Sequence, residues 1–259
     1  MRALGLHQDV IVFISRAWQT TCTAVRSGEE GFVIDSPVYP DELEAVPGVL
    51  EQAGFPVSGL LATHGDWDHL LARTAFPDTP LGCAESTAER LNAELGAPQR
   101  DLRRFDEEHY VEDRRPLALA AVQHLPVPGK LELGEQQHEL ELHPAAGHTA
   151  DGMAIRIPWA GVLVTGDYLS PVEIPMISEG GSHEQYVATL HRLKPLIEAS
   201  DTVIPGHGAP QPREQALRIH QEDLDYLDAL ARDGPQAPLP KSRRTAAQRT
   251  IHERNARIK

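Results

Sequence analysis

Apolar residues recur along this chain in two rhythms, one of two residues and one close to three and a half. The segments "VIVFISR" (10–16), "CTAVRS" (22–27) and "GFVIDS" (31–36) are short, rich in β-branched residues and bounded by turn formers. They predict three successive strands, with Asp35 closing the third. "PDELEAVPGVLEQAGF" (40–55) places Leu43, Val46, Leu50 and Ala53 at helical spacing, with Pro47 and Gly48 expected to kink or split the helix. "VSGLLATHG" (57–65) reads as a strand that ends in a polar cluster. A helix is expected over 84–96, with Ser86 as its N-cap and Glu89 three residues later. Residues 97–115 are highly charged and carry no clear period.

Strand character returns in "LALAAVQHLPV" (117–127). It continues in two expected hairpins, one turning at 134–137 and one turning at Trp159 to Gly161 and ending at Asp167. "SHEQYVATLHRLKPLIEA" (182–199) predicts a helix capped by Ser182, with Leu190, Leu193 and Ile197 on one face. A short strand over 201–208 precedes a second amphipathic helix over 212–233. The break "GPQAPLP" then separates a basic segment, "TAAQRTIHERNARI", that predicts a final helix. The expected organisation is one domain over 1–233 and a basic C-terminal extension over 234–259.

Composition narrows the class. The 259 residues are 41% hydrophobic, enough for one large core. No apolar run reaches the length of a membrane span, and the N-terminus lacks the apolar stretch of a signal peptide, so a cytoplasmic location is the expectation. Cys22 and Cys83 read as buried hydrophobes. The net charge of −14 opposes general nucleic-acid binding, although 231–259 alone carry eight Lys or Arg against two acids.

The chemistry gathers at four points where an apolar strand ends and a His or Asp follows beside glycine. These are His64, Asp66, Asp68 and His69 in "THGDWDH", His148 in "AGHTADG", Asp167 in "TGDY" and His207 in "PGHG". Strand ends on one sheet edge converge, and loops there are the usual home of catalytic groups.

In these motifs and their order, the chain resembles the metallo-β-lactamase superfamily over roughly 10–208, and is most similar to glyoxalase II-like hydroxyacylglutathione hydrolases. The resemblance implies a four-layer αββα sandwich and two divalent metal ions. Residues 64, 66 and 148 would hold the first ion; Asp68, His69 and His207 would hold the second. Asp167 would bridge them and Asp35 would support the site from behind. It further implies hydrolysis of a small ester or thioester by a metal-bridging hydroxide, with Asp68 and Asp167 in the reacting centre. Tyr168, directly after Asp167, reads either as a donor to a substrate oxyanion or as a packed strand-end tyrosine.

One position departs from the family's H-x-H-x-D-H run: Asp66 stands where the second histidine belongs. Two doubly charged cations against three carboxylates leave a formal +1, where the usual site has +2. Oxygen ligation also favours manganese or iron more than an imidazole would, although zinc, the first expectation, accepts Asp. A phosphodiesterase or a non-heme iron redox protein of the same fold is the alternative.

The remaining histidines, at 109, 124, 138, 143, 191, 220 and 252, lack partners at ligand spacing and read as surface residues, as does His183. Trp67 reads as packing beneath the loop or walling the pocket. The basic tail (Lys241, Arg243, Arg244, Arg249, Arg254, Arg257, Lys259) reads either as a solvated end or as a cover that holds an anionic group of a small-molecule substrate.

Overall fold

A computed structural model describes residues 1–258. Two sheets stack face to face. The first has seven strands in chain order: β1 (Arg2–His7), β2 (Val10–Ile14), β3 (Thr21–Ser27), β4 (Glu30–Asp35), β5 (Gly59–Ala62), β6 (Leu81–Ala84) and β7 (Gln123–Leu125). β1 to β4 form an antiparallel meander, and β4 to β7 run parallel. The second sheet carries β8 (Gly129–Leu133), β9 (His138–Pro144), β10 (Met153–Ile157), β11 (Val162–Val164), β12 (Thr202–Ile204) and β13 (Gln211–Pro212), again in sequence order across the sheet.

Alternation along the strands sorts the apolar residues into three cores. Val10, Val12 and Ile14 of β2 face Met153, Ile155 and Ile157 of β10 in the core between the sheets. Phe13, one residue out of step, joins the outer core beneath α1 (Pro40–Gln52), α2 (Ala72–Ala75), α3 (Glu85–Ala93) and α4 (Ala97–His109). On the other side, Ala154, Leu163 and Val203 pack beneath α5 (His183–Glu198) and α6 (Arg213–Asp233). This is the four-layer αββα sandwich that the motifs imply.

Several elements differ from the expectations. α1 runs through Pro47 as one helix. Burial of Leu43, Val46 and Leu50 holds it across a residue that costs ~3 kcal/mol in a helix interior. Ser86 caps nothing: β6 feeds directly into α3, whose N-cap is Ala84. Residues 97–109, unassigned from sequence, form α4, anchored by Leu102 and Phe105 alone among charged neighbours. Only 123–125 of the run 117–127 are strand. Ser182 does cap α5, its hydroxyl accepting from Gln185 N at 3.2 Å. Cys22 and Cys83 are free and buried.

The segment after α6 folds back onto the domain, burying one face and leaving Lys241, Arg244, Arg249, Arg254 and Arg257 exposed. α7 (Ala246–Asn255) packs on the loop that follows Asp167, burying Gln248, His252 and Asn255. Arg243 is 1% exposed and bonds Asp223 at 2.6 Å. Lys259 lies outside the described residues. His220 and His252 are likewise not surface residues. Their Nε2 atoms sit 2.9 Å from Leu190 O and 3.1 Å from Pro235 O, so each satisfies a backbone carbonyl inside the α5–α7 layer. Among the described residues no helix is long and apolar enough to cross a membrane.

Candidate metal centre

The loops at one edge of the two sheets bring all seven candidate side chains together. β5 ends at Ala62, and the chain turns through His64 and Asp66 into a single 3-10 turn, Trp67–His69. His148 follows β9, Asp167 follows β11 and His207 follows β12. Two glycines permit the approach. A Cβ on Gly147 would lie 2.3 Å from Tyr186 N, and one on Gly206 would lie 2.1 Å from Asp167 Oδ1. Neither position accepts a side chain without moving the backbone beside a candidate ligand.

Asp167 stands at the centre with one oxygen toward each side. Its Oδ2 lies 3.3 Å from His148 Nε2 and 3.8 Å from His64 Nε2. Its Oδ1 lies 3.1 Å from His69 Nε2 and 3.3 Å from His207 Nε2. Asp68 Oδ2 completes the second group, 3.7 Å from His69 Nε2 and 3.6 Å from His207 Nε2. Asp66 Oδ2 faces the first group, 3.4 Å from His148 Nε2 and 3.8 Å from His64 Nε2.

The outer nitrogens of His64, His148 and His207 are held, which turns the inner ones toward the centre. Thr63 Oγ1 donates to Asp35 Oδ2 at 2.9 Å, so its oxygen is left to receive His64 Nδ1 at 3.1 Å. His69 Nδ1 lies 3.0 Å from the same Asp35 oxygen, an ion-pair contact without the geometry of a hydrogen bond. His148 Nδ1 reaches Met176 O at 2.7 Å, and His207 Nδ1 reaches Thr20 Oγ1 at 3.3 Å. Partners of this kind fix ring orientation and leave Nε2 as the donor to a cation. The Nε2 atoms of His64, His69 and His148 and Oδ1 of Asp167 are buried and have no hydrogen-bond partner. Orphaned buried polar atoms cost about 1–3 kcal/mol each. Four of them aimed at one point, between carboxylates, form a donor set that suits a pair of divalent cations. The groups His64–His148–Asp167 and Asp68–His69–His207 each have the compactness to hold one ion.

Titration of the cluster fits the same picture. Burial works against a charged His207, but Asp167 and Glu173 outweigh it and raise its pKa to about 10. Burial likewise opposes a charged His148, yet Asp167 and Asp66 raise it to about 9. His69 is raised well above its ordinary value by Asp167, Asp68 and Asp35 against its burial. His64 moves down, through burial and the neighbouring His69 charge. Burial pushes Asp66 up, but the close approach of His148 and the charges of His64, His148 and Arg90 hold it below the usual carboxylate range. Protons on the imidazoles thus balance the carboxylates, the charge role that cations take over.

Tyr168 is a correction. Its side chain is 2% exposed; the hydroxyl accepts from His148 N at 2.9 Å and donates to Ala145 O at 3.2 Å. Its one proton is committed to the backbone and not available to an oxyanion. His183 is likewise turned away, its Nε2 2.9 Å from Leu227 O. Trp67 packs against Phe105 at 4.9 Å between ring centroids. Trp18, unmarked in the sequence reading, is 46% exposed on the rim, its ring 5.8 Å from Trp67 and 6.5 Å from His207. Also unmarked were Arg90 and Asp151. Asp151, three residues after His148 in "GHTADG", sits in the motif and was legible; Arg90, on α3, was not.

The family model described as "Metallo-beta-lactamase superfamily" matches residues 15–207. No curated protein matches the chain by sequence. Among solved structures, TTHA1429, a metallo-beta-lactamase family protein from Thermus thermophilus, is similar with TM-score 0.68 and 18% identity, over 96% of this chain and 93% of its own. The B3 metallo-beta-lactamase BLEG-1 gives 0.63 and 23%, over 80% and 95%. TTHA1623, solved in a di-iron-bound form, gives 0.62 and 18%, over 80% and 97%. Identities of this size carry the fold alone.

Proposed function

Since the chain belongs to the metallo-beta-lactamase superfamily, we propose that its site is that of a dinuclear metal hydrolase acting on a small ester or thioester, in the manner of glyoxalase II. The observation that carries the reading is Asp167, whose two oxygens face two separate groups of donors. His64, Asp66 and His148 would hold the first cation, Asp68, His69 and His207 would hold the second, and Asp167 would serve both. Zinc is the first candidate; iron is admitted by Asp66, and the similar TTHA1623 was solved with two irons. When bound, such a pair acidifies a water molecule and polarises the scissile group.

The chain's own contribution is orientation and exclusion. Asp35, Thr63, Met176 O and Thr20 keep each imidazole turned inward. Trp18 offers an exposed ring for a planar or apolar part of the substrate. Arg243 is buried against Asp223 and does not serve a substrate anion.

Metal analysis of protein purified without added metal, followed by turnover of S-lactoylglutathione and of bis-p-nitrophenyl phosphate, tests the proposal. Two equivalents of metal with thioester turnover are expected. Phosphodiester turnover alone would replace the substrate class. One iron with oxygen consumption would replace hydrolysis with redox chemistry.

A further inference from the structure

Asp66 is the position at which this chain departs from its family's pattern, and the fold gives that carboxylate a dedicated cation. Arg90 on α3 spreads its guanidinium between two acids. Nη2 lies 2.9 Å from Asp66 Oδ1, and Nη1 lies 2.9 Å from Asp151 Oδ1. Asp151 is 1% exposed, and its Oδ2 accepts Gly65 N–H at 2.9 Å. The arginine is therefore fixed from behind by a buried acid that also holds the backbone beside His64 and Asp66. Glu94, the other acid near it, is 3.8 Å away and half-exposed, so it does not compete for the fork. Of the two Asp66 oxygens only Oδ2 faces His64 and His148.

We propose that Arg90 is a positioning residue that makes Asp66 stand in for an imidazole, by tying up one of its two carboxylate oxygens. Asp66 then offers a single donor atom, as a histidine does. Arg90 and Asp151 cancel in charge, so the effect is on which Asp66 oxygen is free and not on the formal charge of the site. The pocket keeps the preferences of a nitrogen-rich site and does not become a chelating, oxygen-rich one suited to manganese. The planar fork is what matters: two nitrogens reach two carboxylates at once, which an ammonium with its single nitrogen does not do. The inference rests on the reading of residues 64, 66, 148 and 167 as the first-cation group.

The test uses the full-length chain, stripped with chelator and titrated separately with Zn²⁺ and Mn²⁺ against a chromophoric competitor, with metal content measured in parallel. In Arg90→Gln, freeing Asp66 Oδ1 is expected to lower the zinc-to-manganese affinity ratio about tenfold or more, the usual scale for an outer partner of a ligand. Arg90→Lys should fall between it and the wild type, and carries the test if Arg90→Gln does not fold. In an Asp66→His background the same Arg90 substitution should leave the ratio unchanged. An unchanged ratio in Arg90→Gln and Arg90→Lys overturns the inference. So does an equal shift in the Asp66→His background, which would mean that Arg90 acts only through Asp151 and the fold. If the wild-type chain binds neither ion, the dinuclear reading itself falls and takes this one with it, a result that the mutant comparison alone cannot produce.

Discussion

Tyr168 shows how far a residue's role depends on where its proton goes. In sequence it directly follows Asp167, a natural place for a donor to developing negative charge. In the fold its hydroxyl spans His148 N and Ala145 O, bracing the turn that presents His148. Tyr168→Phe would leave a buried N–H without an acceptor, at a cost of about 1–3 kcal/mol. The expected result is a fall of that size in urea unfolding with a modest change in turnover. A hundredfold loss of kcat at unchanged stability would instead make Tyr168 the oxyanion donor. Gly206 makes a sharper case. A methyl there would fall 2.1 Å from Asp167 Oδ1 and 2.9 Å from the Gly166 carbonyl carbon, so the central carboxylate or its backbone must move. Gly206→Ala should lose metal from both groups together, because Asp167 faces both. Retention of two equivalents by metal analysis would mean that the carboxylate does not bridge.

At the scale of elements, the C-terminal helix does more than its sequence suggests. Gln248 Oε1 accepts from Ile174 N at 2.7 Å. Asn255 Oδ1 accepts from Ile177 N at 3.0 Å while its Nδ2 donates to Pro175 O at 2.6 Å. Arg243 Nη1 donates to Glu173 O at 2.8 Å. The loop thus secured supplies Met176 O to His148 Nδ1, and Ser170 Oγ donates to His207 O at 2.7 Å. Asn255→Ala should cost about 1–3 kcal/mol for the groups it leaves unpaired, and lower metal occupancy through His148. Full occupancy with unchanged urea unfolding would reduce α7 to a covering helix. This linkage was hidden because the buried residues of α7 are Gln248, His252 and Asn255, whereas hydrophobic periodicity sees only apolar ones. α4 went unassigned for a different reason: Leu102 and Phe105 are too few apolar positions among charged neighbours to show a period. The strand-end histidines and aspartates, in contrast, were legible because each of the four motifs follows a short apolar run and contains a glycine beside a His or Asp. Arg90 escaped notice because a basic residue on a polar helix face looks solvated until the acids opposite it are known.

For the molecule as a whole, the site makes stability depend on pH in opposite ways with and without metal. In the metal-free chain His148 and His207 titrate near 9 and 10, against about 6.5 when unfolded. Groups whose pKa is raised by folding stabilise fully below the unfolded value and lose that contribution as pH rises through the folded one. The stripped protein should therefore lose stability between about pH 6.5 and pH 10 through these two rings. Cations need the same imidazoles neutral, so binding releases their protons and tightens as pH rises. The surrounding acidic body, with a net charge of −14 over the whole chain, adds a field that favours cation uptake across that range. The gap in melting temperature between loaded and stripped protein is thus expected to widen from pH 6.5 to pH 9.5, the stripped form falling while the loaded form holds. Melting curves of the two forms that run parallel over this interval would mean that these imidazoles do not exchange protons for metal, and the cluster would then be a buried network of ion pairs and not a cation site.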